Sequence, residues 1–338
     1  MTHTALLFTK KTDNSLQCRL CAHYCILKEG EKGKCNVREN INGEMITHSY
    51  GNIIAQHADP IEKKPLFHFL PGTRTWSIAT PGCNFTCQWC QNWEISQLPR
   101  HNNDVISQFT SPEVVVQDAI THNCSSIAYT YTEPTTFFEY AFSVAKLAKI
   151  EKLKNIFVTN GYMSKEMLEV FHPYLDAANV DIKAFSDKTY KKYTGAHLKP
   201  VLDSCKRLKD YGIWLEITTL VIPGINTNME EMAELAEFIA KELGKETPWH
   251  ISRYFPAYKF FKTGATPVGV INQIEEIGRN AGLQFVYSGN MTQESVTKCP
   301  ECHQDLIIRW GNSMIKNIIA KDSTCPSCDS QIPGLYST

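Results

Sequence analysis

Short hydrophobic runs alternate with longer amphipathic segments between residues 75 and 289. Seven runs predict β-strands: "TWSIATPG", "SSIAYTYTEP", "KNIFVTNGY", "AANVDIKAF", "LEITTLVIPG", "PWHISRYFPA" and "LQFVYSG". The segments between them place apolar residues three or four apart and predict helices, among them "SPEVVVQDAITHN", "TTFFEYAFSVAKLAKIEKL", "SKEMLEVFHPYL" and "NMEEMAELAEFIAKELG". This order predicts an α/β fold with a parallel sheet covered by helices. Six or seven units are fewer than a closed eight-fold barrel needs, so we expect an open, partial β/α barrel.

Polar or glycine residues follow the apolar part of nearly every run. They are Cys83, Thr132, Glu133, Thr159, Asn160, Gly161, Asp181, Lys183, Pro223, Gly224, His250 and Arg253. Because ligands bind at the carboxyl ends of parallel strands, we expect these residues to share one rim. Asp181 and Lys183 are two residues apart, so strand alternation points both side chains to the same face. Two charges on a buried face are costly unless they are paired or functional.

The thirteen cysteines are grouped along the chain rather than scattered. Eleven fall into three sets: Cys18, Cys21, Cys25 and Cys35; Cys83, Cys87 and Cys90; Cys299, Cys302, Cys325 and Cys328. Such spacing in a chain that starts without a secretory signal favours metal ligands over disulfides. Cys124 and Cys205 stand alone, and we expect them to be inert packing residues.

Composition excludes some classes of protein. The chain has 338 residues, is 43% hydrophobic and carries a net charge of −1, so no overall positive field draws it to nucleic acid or anionic membrane. No apolar run approaches the ~18 residues of a membrane-spanning helix. We therefore expect a cytoplasmic protein that binds neither membrane nor nucleic acid.

The flanking cysteine sets predict small metal-binding modules at both ends of the barrel. The two C-terminal CxxC pairs are typical of a zinc ribbon, in which four thiolates surround one ion. The N-terminal set suits either zinc or an auxiliary iron–sulfur cluster, and both remain open at this point. The predicted organisation is thus an N-terminal four-cysteine module at 1–72, the barrel at 73–290 and a zinc-ribbon-like module at 291–338.

The central set, Cys83-x3-Cys87-x2-Cys90, has one thiolate fewer than a closed zinc site or an ordinary iron–sulfur cluster requires. Its position directly after the first predicted strand resembles the signature of the radical S-adenosylmethionine (SAM) superfamily. The resemblance implies that three cysteines hold a [4Fe–4S] cluster whose fourth iron binds SAM. It also implies reductive cleavage of SAM to a 5′-deoxyadenosyl radical, which abstracts hydrogen from a substrate.

A closer resemblance extends over nearly the whole chain. The segments that carry it are "CRLCAHYCILKEGEKGKCNVREN", "TPGCNFTCQWCQNWEIS", "YTYTEPT", "VTNGY", "DIKAF", "PWHISRYFPAYK" and the paired CxxC tail. Together they resemble the radical SAM component of the AmmeMemoRadiSam system, which is similar to the activating enzymes of glycyl-radical enzymes. The resemblance implies a flavodoxin or ferredoxin as electron donor, the companion AmmeMemo proteins as partners, and either a protein or a small molecule as substrate.

The same resemblance implies roles for individual residues. Cofactor-binding candidates are Trp89 near the SAM adenine, Glu133 at the amine, and Asn160, Asp181 and Lys183 near the ribose and carboxylate. Lys183, His250 and Arg253 are the candidate catalytic residues, as contacts to substrate or SAM. The sequence departs from the family in two places, since Tyr131 and Thr132 replace the usual glycines and Val158 replaces an acidic residue.

Two other classes of function compete with an enzyme. A non-enzymatic electron carrier would need a fourth ligand near Cys83, and the nearest free cysteine, Cys124, precedes its strand at the wrong end. A zinc-bearing scaffold for protein or nucleic acid would leave the polar residues at the strand ends without a role.

Overall fold

The computed structural model describes residues 3–101 and 109–337. The N-terminal part forms two small antiparallel sheets, ordered β1-β6-β5 and β2-β3-β4. Their strands are β1 (His3–Thr4), β2 (Phe8–Lys10), β3 (Leu16–Cys18), β4 (Ile26–Leu27), β5 (Arg38–Ile41) and β6 (Glu44–Thr47).

The main body is one eight-stranded sheet whose strands are hydrogen-bonded in the order β14-β13-β12-β11-β10-β9-β8-β7. The strands are β7 (Ala55–Pro60), β8 (Arg74–Ala79), β9 (Ser126–Tyr129), β10 (Lys154–Thr159), β11 (Ala177–Asp181), β12 (Trp214–Val221), β13 (Trp249–Arg253) and β14 (Val286–Gly289). Neighbours from β8 to β14 are parallel, and β7 pairs antiparallel with β8.

Helices connect the parallel strands. They are α1 (Trp93–Ser96), α2 (Leu98–His101), α3 (Pro112–Thr121), α4 (Phe138–Ile150), α5 (Lys165–Phe171), α6 (Asp187–Thr194), α7 (Leu198–Asp210), α8 (Met229–Phe238) and α9 (Val268–Asn280). Side-chain caps begin two of the predicted helices: Ser164 accepts from the Met167 amide at α5, and Asn228 accepts from two amides at α8. No helix among the described residues is long and apolar enough to cross a membrane.

The predicted open β/α sheet is confirmed, since all seven predicted strands are present and parallel. The sequence did not predict β7, whose "AQHADP" lacks a clear apolar alternation. Because β7 belongs to the main sheet, this sheet extends across the predicted boundary at residue 72.

Residues 61–70, which we call the floor segment, close the amino-terminal end of the partial barrel. Ile61, Leu66 and Phe69 of this segment are fully buried or nearly so. They form a hydrophobic cluster with residues of the sheet interior, Ala128, Ile156 and Ala177. The opposite, carboxyl-terminal end of the strands, which we call the upper end, carries the loops with the candidate site.

Glu216, on β12, fixes the floor segment by a dense set of hydrogen bonds. Its carboxylate accepts from the backbone N–H groups of Phe67 and His68 at 3.0 and 2.8 Å, and from Trp214 Nε1 at 3.0 Å. His250 Nε2 lies 2.6 Å from Oε2, the oxygen that also accepts from the Phe67 amide. This buried carboxylate therefore has a partner on every side.

The C-terminal module packs beneath the floor segment. It contains a three-stranded antiparallel sheet of β15 (Glu294–Lys298), β16 (Asp305–Trp310) and β17 (Ser313–Asn317). Arg309, fully buried on β16, donates to the Phe67 carbonyl at 2.6 Å and to Thr297 Oγ1 at 2.9 Å. The buried cation thus joins the module to the barrel.

Candidate active site and metal centres

The loop with the central cysteines leaves the upper end of β8 and is held against the N-terminal module. Gly82 has a φ of +106°, and a Cβ there would lie 2.7 Å from Val37 Cγ1. Arg100 donates to the Cys83 carbonyl at 3.0 Å and also to the carbonyl of Lys34. A glycine and a bridging guanidinium therefore fix the start of the motif.

The three sulfur atoms of the motif have different neighbours. Cys83 Sγ accepts from the Phe85 amide at 3.4 Å and lies 3.8 Å from Asn160 Nδ2. Cys90 Sγ lies 3.3 Å from Ser96 Oγ. Burial raises the pKa of Cys87 to about 12, although the ammonium of Lys183 opposes this shift. Burial and the carboxylate of Glu133 raise the pKa of Cys83 well above its ordinary value. A metal bound to Cys83 and Cys87 would hold these two sulfurs as thiolates against the effect of burial.

Glu133 lies fully buried between the ends of β9 and β10. Its Oε1 accepts from the Thr135 amide, Thr135 Oγ1 and Thr159 Oγ1 at 2.6 to 3.0 Å, and its Oε2 accepts from the Asn160 amide at 2.8 Å. Burial raises the pKa of Glu133 despite these donors. The carboxylate ties the two strand ends together, and its contact with a cofactor amine stays a prediction.

Asp181 and Lys183, which strand alternation predicted to lie on the same face, form an ion pair. Lys183 Nζ lies 2.7 Å from Asp181 Oδ2 at the end of β11. Burial alone would lower the pKa of Lys183, but Asp181 and Cys87 raise it above its usual value. The charged ammonium therefore lies beside the central cysteines.

Other predicted contacts are also near this loop. Trp89 is 2% exposed and packs edge-on to Phe260. Asn160 Nδ2 donates to Asn84 Oδ1 at 2.7 Å. Their predicted contacts with SAM stay predictions.

The expected placement of His250 at the upper rim is wrong. His250 is the second residue of β13, is 2% exposed and is bonded to Glu216 toward the floor segment. It appeared to follow a strand because the apolar part of the run is short, although the strand itself continues to Arg253. Arg253 does end the strand, and its Nε donates to the Thr266 carbonyl at 2.7 Å. The catalytic role of either residue stays a prediction.

Sequence reasoning named Trp89 but missed three other polar residues, Thr80, Asn84 and Thr218. Within the described residues, Thr80 Oγ1, Asn84 Nδ2, Trp89 Nε1 and Thr218 Oγ1 are buried and have no hydrogen-bond partner. Thr80 immediately follows β8, and Thr218 pairs in register with Asp181. In the sequence, only Thr80 could have been identified locally, because it directly precedes the "PGC" that begins the cysteine motif.

These residues fit a polar, cluster-bound cofactor. Buried donors and acceptors without partners are uncommon in folded proteins and indicate a ligand or water at the same place. Cys87 and Cys90 both lie close enough to Cys83 to raise the pKa of its thiol. Three neighbouring thiolates of this kind can each hold a different iron of a [4Fe–4S] cluster.

The C-terminal cysteines form a compact four-sulfur site. Cys299 and Cys328 Sγ lie 3.6 Å apart, as do those of Cys302 and Cys325, and all four sulfurs lie within 4.8 Å of one another. Tetrahedral zinc with Zn–S bonds of ~2.3 Å places sulfurs about 3.8 Å apart. Against the effect of burial, backbone N–H groups of Cys302 and Glu301 and the Ser330 hydroxyl lower the pKa of Cys299 to about 6. The site is therefore suited to one metal ion.

The two solitary cysteines lie outside these sites. Cys124 is 5% exposed, and Cys205, on α7, is fully buried. Burial raises the pKa of Cys205 to about 12, so this thiol remains protonated and unreactive.

Comparison with known proteins agrees with this geometry. The Radical SAM superfamily model matches residues 77–239. An uncharacterized protein of Methanocaldococcus jannaschii is 41% identical over 331 residues, which cover 97% of this chain and 98% of that protein. The isethionate sulfite-lyase activating enzyme of Nitratidesulfovibrio vulgaris is 29% identical over 134 residues, which cover 38% of this chain and 43% of that enzyme.

A solved structure shows the same fold. A radical SAM methyltransferase from Sphaerobacter thermophilus superposes with a TM-score of 0.52 at 16% identity, over 66% of this chain and 68% of that one. The matched residues 77–239 contain the central cysteines and the strands from β9 to β12, together with part of β8. A domain of this kind implies a [4Fe–4S] cluster and SAM, which displaces the hypothesis of a simple electron carrier. The chain is therefore an enzyme with a radical SAM superfamily domain at residues 77–239, and it is homologous to the activating enzymes of glycyl-radical enzymes.

Proposed function

We propose that this enzyme cleaves SAM reductively at a [4Fe–4S] cluster held by Cys83, Cys87 and Cys90, and uses the product to abstract hydrogen from a substrate. When bound, the cluster and SAM supply the electron and the sulfonium bond whose cleavage gives methionine and a 5′-deoxyadenosyl radical. The single observation that carries the proposal is a three-cysteine motif beside buried polar atoms that lack partners among the described residues.

The chain's own residues would bind and orient the cofactor. Lys183, positioned by Asp181, supplies a positive charge beside Cys87 and is suited to a carboxylate. Glu133 holds the Asn160 amide and Thr159 in place, and Asn160 in turn contacts Cys83. Thr80 and Thr218 offer free hydroxyl groups. Because these side chains are wholly or largely buried, each of these contacts is stronger than it would be in water.

The test of this function is anaerobic reconstitution with iron and sulfide, followed by SAM and dithionite. We expect 5′-deoxyadenosine from the unaltered protein and none from Cys87→Ala. Cys205→Ala is the matched control, because it also removes a buried thiol but lies outside every cysteine set. An intact cluster that yields no 5′-deoxyadenosine would overturn the proposal.

We further propose that the C-terminal set binds zinc. Its sulfur–sulfur distances of 3.6 Å support a single tetrahedral ion. Metal analysis should find about one zinc per chain, and Cys325→Ala should lose it. Retention of zinc by Cys325→Ala, with Cys205→Ala as control, would contradict this assignment.

The same proposal includes a protein substrate, an electron donor and companion proteins as partners of this enzyme. The name of the Nitratidesulfovibrio vulgaris relative states that it acts on another enzyme, which supports a protein as the substrate class. The low potentials of such clusters favour flavodoxin or ferredoxin as the donor. The motifs that resemble the AmmeMemoRadiSam system support the companion proteins of that system as partners and the cytoplasm as the location.

A further inference from the structure

Segment 254–262, which follows β13 and which we call the aromatic segment, exposes large apolar side chains. Phe255 is 43% exposed and Phe261 is 63% exposed. Trp93, three residues after the last cysteine of the central motif, is 37% exposed. It stacks on Tyr258 of the aromatic segment, with 5.1 Å between the ring centroids. Clustered exposed aromatic rings of this kind mark sites where a protein binds another molecule.

The aromatic segment lies directly against the loop that holds the central cysteines. The Lys259 amide donates to the Gln88 carbonyl at 3.0 Å. Phe260 packs edge-on against Trp89, with ring centroids 5.9 Å apart. Gln88 and Trp89 are the two residues between the second and third cysteines of the motif. The Gln88 amide also donates to the Tyr193 carbonyl at 3.2 Å, so the end of α6 borders the same loop.

Basic side chains are interleaved with these rings. Each of four cations lies over one ring, at 4.8 to 5.8 Å from its centroid: Lys192 over Tyr193, Lys259 over Tyr258, Lys262 over Phe261 and Arg253 over Phe255. The three lysines are exposed. In the part of the chain that the structure describes, no carboxylate oxygen lies within 4.0 Å of any of their ammonium groups. Their charges are therefore available to an anionic partner.

The charge of this surface differs from that of the whole protein. The three stretches that meet here, 86–97, 186–194 and 253–263, contain six basic and two acidic residues, whereas the whole chain has a net charge of −1. A local positive field steers an acidic partner to one place on an otherwise slightly negative molecule. The aromatic rings beside it supply the apolar contact of a protein–protein interface, in which Trp, Tyr and Arg carry much of the binding energy.

The position of this surface favours an electron donor over a substrate as its partner. An electron has to reach the central cysteines, and the surface borders the residues between two of them. A substrate has to reach a cofactor beside Asp181 and Lys183, which lie partly buried at the end of β11. The exposed side of the cysteine loop therefore suits the entry of electrons better than the entry of a substrate.

We propose that Trp93, Lys192 and the aromatic segment form the docking surface for the electron donor, a small protein with an acidic face around its redox centre. One electron leaves the reduced donor and is accepted by the oxidised [4Fe–4S] cluster, and no proton or bond is exchanged. This inference rests on the proposed function, because only a cluster that is reduced during the reaction requires a donor.

A flavodoxin with an acidic surface is the probe for this docking surface. The variant Lys192→Glu/Lys259→Glu/Lys262→Glu reverses three charges on the reconstituted, full-length enzyme. Isothermal titration calorimetry at low salt should show an about 10- to 100-fold higher dissociation constant for flavodoxin. Anaerobic stopped-flow absorbance should show that reduced flavodoxin reduces the cluster more slowly by a similar factor. Reduction by dithionite, which needs no docking, should stay within about threefold of the unaltered enzyme.

Lys146→Glu/Lys152→Glu/Lys245→Glu is the matched control. It makes the same change in net charge at three exposed lysines, on α4, before β10 and before β13. Its dissociation constant for flavodoxin should stay within about threefold of that of the unaltered enzyme. About 0.5 M salt should bring the unaltered enzyme close to the first variant, because salt screens the lysines. Equal flavodoxin affinities and equal reduction rates in the two triple variants would overturn the proposal.

Phe261→Ser tests the aromatic part of the surface, and Ile150→Ser is its control because Ile150 is 72% exposed at the end of α4. We expect about fivefold weaker flavodoxin binding from Phe261→Ser and no change from Ile150→Ser, at equal thermal stability. If a mixed-sequence single-stranded RNA binds through the three lysines while flavodoxin binds both triple variants equally, the surface belongs to nucleic acid and the proposal fails. If flavodoxin reduces the cluster but SAM is not cleaved, only the proposed function is refuted.

Discussion

The Glu216 network at the floor and two threonine hydroxyls at the upper end differ in how their buried polar atoms are bonded, although Glu62 Oε2 and Arg309 Nε near the floor also lack hydrogen-bond partners among the described residues. At the floor, Glu216 accepts from the amides of Phe67 and His68 and from the side chains of Trp214 and His250. At the upper end, Thr80 and Thr218 are buried hydroxyls without partners among the described residues. Satisfied polar groups stabilise a fold, whereas unsatisfied ones are tolerated where a ligand completes them. The comparison separates the residues that maintain the barrel from those available to a cofactor.

The largest expected effect is the loss of stability on replacing Glu216, which holds the floor segment. Glu216→Leu would leave four donors in the barrel interior without an acceptor, so we expect a loss of about 3–5 kcal/mol in the free energy of unfolding. Urea unfolding followed by circular dichroism measures it. The control is Glu237→Leu, because Glu237 forms an exposed i,i+4 pair with Lys241 and should cost less than about 0.5 kcal/mol. Equal losses of unfolding free energy in the two variants would show that the hydrogen bonds of Glu216 do not stabilise the fold more than an exposed ion pair does.

Substitution of Lys183, at the upper end, should slow the reaction more than it lowers the free energy of unfolding. Lys183→Met removes the ammonium beside Cys87, so we expect a 10- to 100-fold slower formation of 5′-deoxyadenosine, about 1.4–2.7 kcal/mol. Unfolding should change by less than about 1 kcal/mol, because Asp181 keeps partial access to water. Lys199→Met is the control, since this exposed lysine pairs only with Asp203 on the surface of α7. If Lys183→Met forms 5′-deoxyadenosine as fast as the control, Lys183 has no role in the site.

The smallest expected effects, in stability and in SAM binding, come from substitutions of two neighbouring threonines on β12. They discriminate best between the two faces of the strand. Thr219 Oγ1 accepts from Trp249 Nε1 at 3.0 Å, while Thr218, on the other face, has no such partner. Thr219→Val should cost about 1 kcal/mol of stability and leave SAM binding unchanged. Thr218→Val should leave stability within about 0.5 kcal/mol and weaken SAM binding roughly fivefold. The reverse pattern, by denaturation and equilibrium dialysis, would contradict the assignment of the two faces.

Local pattern was sufficient to predict the seven parallel strands and to place Asp181 and Lys183 on the same side of the chain. Apolar periodicity identifies a buried strand, and a two-residue step places side chains on one face. The same reasoning misplaced His250, because a run of letters does not show where a strand ends relative to its neighbours. It also missed β7, which has a polar sequence and pairs only at the edge of the sheet.

The donors around Glu133 and Glu216 could not be predicted, because they come from distant parts of the chain. Glu216 lies 149 residues after Phe67, and Thr159 lies 26 residues after Glu133. Such bonds depend on three-dimensional packing, which local periodicity does not encode. The close approach of the four C-terminal sulfurs is likewise a property of the folded backbone.

The floor segment also has a consequence for biosynthesis. Residues 61–70 leave the ribosome long before β12, so the amides of Phe67 and His68 have no carboxylate to bind until most of the barrel has been translated. Contacts of such large sequence separation slow folding, and domains of this size pass through partly folded states. A nascent chain that ends before Glu216 already contains Ala128, Ile156 and Ala177, against which Leu66 and Phe69 pack, but it lacks the carboxylate that fixes the floor segment.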